Sequence, residues 1–181
     1  RQMCIRDRYK DYTFVLQVQE SLGYPMIIKE NKGSFGEQVY LVKNYYEAVD
    51  KIKAIGHDEF LMQEYIECSK GKDVRIHVVG DKVITAMKRH NENDFRANVT
   101  NGGSMEPYEP TAEQKEMALQ VCKELELDFA GVDILFGKEE EPILCEVNSN
   151  AHFKNIYDCT GVNVAEHIMK YIKRAVTEMQ E

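Results

Sequence analysis

The sequence lacks any apolar run long enough to cross a membrane. A spanning helix needs about 18 or more apolar residues, and no segment of this chain reaches that length. Positive charge is also in short supply: 23 lysines and arginines face 31 aspartates and glutamates, which leaves a net charge of −8. Proteins that coat nucleic acid or an anionic membrane surface carry the opposite balance, so we expect neither partner.

Paired cysteines are missing as well. The five cysteines are scattered, and none forms a C-x-x-C motif with another: Cys4, Cys68, Cys122, Cys145 and Cys159. This pattern indicates reduced thiols in a cytoplasmic protein, not a disulfide framework or a zinc site.

The first ten residues, RQMCIRDRYK, have no initiator methionine and no clear helical or strand period. We expect residues 1–8 to be either foreign sequence or a frayed native terminus, and we set them outside the predicted fold.

From residue 10 onward, helical and strand patterns alternate. Helices are predicted over 10–23, 45–55, 111–127 and 163–180, and Thr111 with Gln114 forms a capping-box signal. Strands are predicted over 26–30, 39–43, 59–66, 73–80, 81–90, 129–136 and 143–148, with residues 91–110 as a polar loop. The pattern predicts an α+β chain with antiparallel sheets in two lobes, residues 9–66 and 67–181.

A carboxylate patch is predicted on the last hairpin. Alternation in ILCEVN puts Glu146 and Asn148 on the same strand face. A turn centred between residues 139 and 140 then pairs Asp133 with Glu146. Opposed carboxylates repel unless a cation lies between them, and hard oxygen ligands suit Mg²⁺. Alternatively, one side chain faces away and no metal binds.

Two further segments are ambiguous when taken alone. Lys29 ends an apolar strand, and Gly33 and Gly36 follow in a loop whose backbone N–H groups could bind an anion; the same pattern is typical of an ordinary glycine-containing hairpin. The apolar strand LMQEYI could bind an adenine edge, with Glu64 or Asp73 accepting hydrogen bonds from ribose. Taken alone, that segment is better explained as an edge strand with a solvated turn.

Cations and amides gather in KRHNENDFRANVTNGG, which contains Lys88, Arg89, Arg96 and Asn98. In a net-acidic chain, this composition suits phosphate or carboxylate binding. A solvated charged loop is the alternative.

Together and in this order, these segments resemble the ATP-grasp fold, and most closely the RimK-like family of glutamate ligases. The resemblance is carried by IIKENKGSFGEQV, LMQEYIECSKGKDVRIHVVG, DFRANVTNGG, FAGVDILF and EVNSN, and it covers about residues 10–178. The triplet of Asp133, Glu146 and Asn148 is its most specific part.

The resemblance implies an ATP-dependent carboxylate–amine ligase. In such a reaction a carboxylate attacks the γ-phosphate, and an amine then captures the acylphosphate. The implied cofactors are ATP and two Mg²⁺ ions, for which Mn²⁺ could substitute. The implied substrates are small-molecule or peptide carboxylates and amines, and the resemblance is compatible with a homo-oligomer.

By position, the resemblance also assigns roles to individual residues. The metal ligands would be Asp133, Glu146 and Asn148. Nucleotide contacts would come from Lys29, Gly33, Ser34, Phe35, Gly36, Gln63, Glu64, Tyr65, Ile66, Asp73 and Lys88. The catalytic residues facing the transferred phosphate would be Arg89, Arg96 and Asn98. The substrate-facing residues would be Arg75 and His152.

Two departures from the family pattern matter. After Asn148 the related pattern usually runs to a small residue, proline and glycine, whereas this chain has SNAHF. His152 and Phe153 would therefore line the acceptor side. Such ligases also carry a preceding domain and a further ATP-contacting lysine, so we expect this chain to be the C-terminal part of a longer protein.

Three functional hypotheses follow. The chain is an ATP-dependent ligase, or a nucleotide-binding fragment or module without catalysis, or an acidic interaction domain without a nucleotide site. The complete set of magnesium-type ligands favours the first hypothesis over the second. The third requires four site-like clusters to coincide by chance.

Overall fold

The computed structural model describes residues 11–33, 36–99 and 102–178, together with the backbone of residues 2–5. Within it the chain divides into two compact units, Arg1–Glu67 and Cys68–Glu181. None of the helices in the described part of the chain combines the length and apolarity that crossing a bilayer would require.

The first unit is a four-stranded antiparallel sheet with two helices. Its elements in chain order are β1 (Gln2–Ile5), α1 (Phe14–Leu22), β2 (Met26–Glu30), β3 (Val39–Val42), α2 (Tyr45–Ile55) and β4 (Phe60–Glu64), and the strand order is β1-β4-β2-β3. Apolar residues from both helices pack with β2 and β4 in one core. The predicted helices end at Gly23 and Gly56, as expected, and β2 and β3 form the predicted hairpin.

Strand β1 is a correction to the sequence interpretation. Residues 1–8 were set outside the fold, yet Gln2–Ile5 pairs antiparallel with β4, from Gln2 opposite Gln63 to Ile5 opposite Phe60. A four-residue strand has too few positions for a hydrophobic period, so its identity depends on a partner about 60 residues away along the chain.

The second unit is a five-stranded antiparallel sheet with three α-helices and a 3-10 turn. Its elements are a 3-10 turn (Glu67–Ser69), β5 (Lys72–Val79), β6 (Lys82–His90), β7 (Ser104–Pro107), α3 (Ala112–Glu124), β8 (Phe129–Phe136), β9 (Pro142–Asn148), α4 (Lys154–Thr160) and α5 (Val164–Glu178), and the strand order is β7-β6-β5-β8-β9. Strand β7 lies within the predicted polar loop, and α4 was not predicted. Both are short and depend on packing against the sheet.

The side chains of β5 alternate between an apolar face and a polar face of the sheet. Val74, Ile76 and Val78 belong to a core that includes Ala118 and Cys122 of α3. Successive side chains of a strand point to opposite faces, so the alternate residues of β5 face the other way. The polar residues of the site lie on that second face, and α3 supports them from beneath.

Candidate active site

Four charged side chains, two buried (Arg89, Asp133) and two half-buried (Asp73, Arg75), alternate in sign on the polar face of the second sheet. Arg75 donates from Nε to Asp133 Oδ1 at 2.7 Å and from Nη2 to Oδ2 at 2.6 Å. Arg89 makes the equivalent pair with Asp73, at 2.7 and 2.6 Å. Arg89 Nη2 also donates to Asp133 Oδ2 at 2.9 Å, which joins the two pairs into one cluster.

The arginines determine the ionisation of Asp133. Burial opposes its charged form, but Arg89 and Arg75 outweigh burial and lower the pKa of Asp133 to about 2. Burial likewise opposes the charge on Arg89, while Asp133 and Asp73 raise the pKa of its guanidinium. Burial raises the pKa of Asp73 against the opposing effect of Arg89, so Asp133 is the carboxylate whose charge the arginines hold more firmly.

The predicted carboxylate patch lies beside this cluster. Asp133 is the register partner of Glu146, as predicted, and Gly131 is the partner of Asn148. The register shifts only after Asp133, so these residues share one face of β8 and β9. Asp133 is buried and Glu146 is exposed.

The chemistry of these residues fits a hard cation. Asp133 Oδ2 accepts two hydrogen bonds but Oδ1 accepts one, which leaves a lone pair of Oδ1 for a further partner. In the described ranges no three His, Cys, Asp or Glu side chains are grouped to hold a metal. The amide oxygen of Asn148 would therefore have to complete an Mg²⁺ ligand set with Asp133 and Glu146. Asn148 Nδ2 is buried and has no hydrogen-bond partner among the described residues.

His77 is a site-face residue that the sequence interpretation missed. It is 2% exposed, and its register partner on β8 is Gly131. Burial, reinforced by the charge of Arg75, lowers the pKa of His77 to about 4, so the ring is neutral at pH 7. Alternation along DVRIH puts His77 on the same face as Asp73 and Arg75, and this signal was available in the sequence.

Lys88 and Arg89 point to opposite faces, although the sequence interpretation grouped them. Arg89 pairs with Asp73 in the β5–β6 register, whereas Lys88 pairs with Val74. The Lys88 ammonium lies 5.7 Å from the centroid of the Phe136 ring. The structure therefore does not bring Lys88 to the Asp133 cluster. Asp73, expected near a ribose, is paired with Arg89.

Arg96 and Asn98 lie in the loop that follows β6. Arg96 donates to Asp94 from Nε at 3.0 Å, from Nη2 at 2.7 Å and from its backbone N–H at 2.8 Å. The loop is tied to Gly71, whose N–H donates to the Phe95 carbonyl. Asp94 thus orients the Arg96 guanidinium within its own loop. His152 is exposed in the loop that follows β9.

In the first unit, Lys29 lies near the end of β2, opposite Val39 and Leu61 of its neighbouring strands. A Cβ at Gly33 would lie 2.6 Å from Gln38 Oε1 and 2.9 Å from Gln38 Cβ, so the Gln38 side chain would have to move to admit one. Gly36 has φ +75°, which favours glycine. Ser34 and Phe35 lie outside the described residues.

The predicted adenine segment spans the end of β4 and the residues after it. Gln63 and Glu64 are the last residues of the strand, and Tyr65 and Ile66 follow it, all half-buried. Burial, with a contribution from Glu67, raises the pKa of Tyr65.

These features agree with a comparison to known families. The model of the RimK-like ATP-grasp domain matches residues 2–172. The chain belongs to this RimK-like ATP-grasp family. The fold and the family that the sequence resemblance implied are both confirmed.

Individual relatives give the same result. The chain is 40% identical over 157 residues to a protein of Shewanella amazonensis named probable alpha-L-glutamate ligase 2, covering 85% of this chain and 52% of the relative. The ATP-grasp ligase PsnB, solved with a minimal precursor, Mg and ADP, has a TM-score of 0.71 at 21% identity, covering 96% and 53% of the two chains.

D-alanine–D-alanine ligase from Bacillus anthracis shares the fold with a TM-score of 0.73 at 18% identity, covering 99% of this chain and 63% of the ligase. The RimK-like chain thus spans about half the length of the relative from Shewanella amazonensis.

Proposed function

We propose that this RimK-like ATP-grasp chain is the nucleotide- and metal-binding part of an ATP-dependent carboxylate–amine ligase. The observation that carries the proposal is the shared face of Asp133, Glu146 and Asn148 beside two arginines that are paired with Asp133. This arrangement combines hard oxygen ligands with fixed positive charge. Phosphoryl transfer needs such positioning and charge neutralisation more than a protein nucleophile.

In the second unit, the proposed metal ligands are Asp133, Glu146 and Asn148. When bound, Mg²⁺ supplies charge neutralisation for the phosphate oxygens. Arg75 and Arg89 hold Asp133 in its ionised form and fix its orientation with three hydrogen bonds. Arg96, oriented by Asp94, and Asn98 are proposed to face the transferred phosphate.

In the first unit, Lys29 and the glycines of its loop are proposed to contact the phosphates. Gly33 and Gly36 allow close approach of the backbone there, because neither position suits a side chain. Gln63 to Ile66 are proposed to contact the adenine.

The proposed reaction begins with attack of a substrate carboxylate on the γ-phosphate of ATP, which releases ADP and forms an acylphosphate. A substrate amine then displaces inorganic phosphate, forms the amide and loses a proton. The names of the relatives favour glutamate as one substrate. His152 and Phe153, in the loop after the metal ligands, are proposed to line the acceptor side.

Calorimetric titration of the chain with ADP, with and without Mg²⁺, tests the nucleotide and metal sites. We expect Mg²⁺ to strengthen ADP binding, and Glu146→Gln to remove most of that gain because it deletes a charged ligand. Glu116→Gln is the matched control, since Glu116 is an exposed acid on α3, which packs under the opposite face. Mg²⁺ binding that is unchanged in Glu146→Gln would refute the ligand assignment.

The second candidate function is nucleotide binding without catalysis. It is favoured by the length of the chain, which covers only about half of each relative. Release of phosphate from ATP in the presence of glutamate and candidate amines separates the two. Nucleotide binding without any substrate-dependent turnover would support the second candidate.

A further inference from the structure

A small cavity lies under the loop that joins β9 to α4. It measures about 30 Å³ and is lined by His77 and Asn150 together with apolar side chains, among them Ala151 and Phe153. A water molecule needs a cavity of roughly 10–15 Å³ or more, and at least two polar partners. This cavity therefore has room for a water molecule and two polar side chains in its wall.

His77, which lines this cavity, also carries a polar atom without a partner. Its side chain is 2% exposed, and Nε2 has no hydrogen-bond partner among the residues that the structure describes. Leaving a buried polar atom unpaired costs about 1–3 kcal/mol, so such atoms are normally satisfied by protein or by ordered water. A water molecule both donates and accepts, and it can therefore satisfy either neutral tautomer of the ring.

Gly131 lets the loop approach the sheet closely. A Cβ at Gly131 would lie 2.6 Å from the Ala151 Cβ and 3.8 Å from His77 Cε1. The Ala151 methyl group thus occupies the space that a side chain would take, and the His77 ring is next to it. Asn148, the register partner of Gly131 on its other side, begins this loop.

We propose that His77 is a positioning residue that holds the loop from Asn148 to Phe153 against the sheet, through a buried water bound by Nε2. The loop has Asn148, the proposed metal ligand, at one end and His152 and Phe153, on the proposed acceptor side, at the other. The contact between His77 and the loop is inferred from the structure alone. Its effect on Mg²⁺ binding by Asn148 rests on the proposed function.

Hydrogen exchange of the full chain without nucleotide tests the loop contact. His77→Leu removes the polar atom, whereas His77→Gln keeps a polar group at about the same reach. We expect the amides of residues 149–153 to exchange about 3- to 10-fold faster in His77→Leu, the factor that one net hydrogen bond represents. His77→Gln should exchange at close to the wild-type rate, and the α3 amides should not change in either variant.

Three results would overturn the proposal: unchanged loop exchange in His77→Leu, equally fast exchange in both variants, or equal acceleration in α3, which would indicate general destabilisation. If His77→Leu does not fold, the wild-type protein still decides. A nuclear Overhauser contact between a long-lived water and the Ala151 methyl group supports the proposal, and its absence refutes it.

The metal consequence has its own readout. We expect the ratio of ADP affinities with and without Mg²⁺ to fall at least about threefold in His77→Leu and to recover in His77→Gln. A ratio unchanged in His77→Leu would restrict the role of His77 to the loop and refute its link to Asn148. A wild-type chain that binds no ADP would refute the proposed function, whereas the exchange experiment would still decide the loop contact.

Discussion

At the scale of single residues, the buried charges are the most sensitive feature of the second unit. The Arg89 side chain is 5% exposed and pairs with two carboxylates. Removing one partner of a buried ion pair leaves an uncompensated charge that water cannot solvate. An exposed pair such as Lys154 with Asp158 has no such penalty, because water solvates either partner alone.

Arg89→Met should therefore lower the free energy of unfolding by about 3–5 kcal/mol. The control Lys154→Met, in the exposed pair of α4, should change it by about 0.5 kcal/mol or less. Urea unfolding followed by circular dichroism measures both values. Equal losses in the two variants would show that the Arg89 cluster is effectively solvated.

His77 should make stability dependent on pH. Its pKa is about 4 in the folded protein, below its ordinary value of 6.5, so the unfolded chain binds a proton more readily. The stabilisation is complete above pH 6.5 and is lost as pH falls towards 4.

Between pH 7 and pH 5 we expect wild type to lose about 2 kcal/mol more unfolding free energy than His77→Gln, which cannot titrate there. Parallel pH profiles for the two proteins, measured by urea unfolding, would contradict this.

At the scale of elements, α3 is the support beneath the polar face, and its start is well defined. Thr111 accepts from the Gln114 N–H, and Gln114 Oε1 accepts from the Thr111 N–H, which completes the predicted capping box. The helix ends at Glu124, earlier than the predicted residue 127, because Glu126 adopts φ +53°.

Thr111→Ala should cost about 1 kcal/mol of stability, since an orphan N–H of the first turn loses its acceptor. Thr111→Ser keeps the hydroxyl and should cost much less. Thermal unfolding compares the two, and ADP affinity should be the same in both because α3 packs against the face of the sheet opposite the site. If Thr111→Ser lost the same amount of stability, the loss of the hydroxyl cap could not be the cause of the destabilisation in Thr111→Ala.

The sequence predicted elements whose signals are local, and it missed those set by distant partners. The β8–β9 register followed from one turn and strict alternation, so Asp133 was paired correctly with Glu146. The bidentate pair of Asp73 and Arg89 depends on the β5–β6 register, and charge composition alone did not reveal it. Lys88 was grouped with Arg89 by charge, although strand alternation already puts the two side chains on opposite faces.

At the scale of the whole molecule, the chain has two compact units and about half the length of its relatives. An acylphosphate hydrolyses readily, so ligation requires a reaction site that excludes water. The nucleotide contacts proposed for this chain do not by themselves guarantee that exclusion.

We therefore expect the 181-residue chain to bind ADP but to form product more slowly, by orders of magnitude, than a full-length relative such as the Shewanella amazonensis protein. Release of ADP with glutamate and candidate amines measures both proteins under the same conditions. In the full-length relative, replacing the aspartate that corresponds to Asp133 by asparagine should abolish ligase activity. Equal turnover by the two wild-type proteins would show that the shorter chain is catalytically sufficient.

The alternating cluster of Arg75, Asp133, Arg89 and Asp73 also constrains which combinations of substitutions the protein can accept. Its members are joined by hydrogen bonds into one network, so the effects of substitutions within it should not be additive. Replacing an arginine and an aspartate together restores neutrality, and such a double variant should be more stable than the sum of the single losses implies. For stability, joint replacement of Asp73 and Arg89 should therefore cost less than the two single replacements added together.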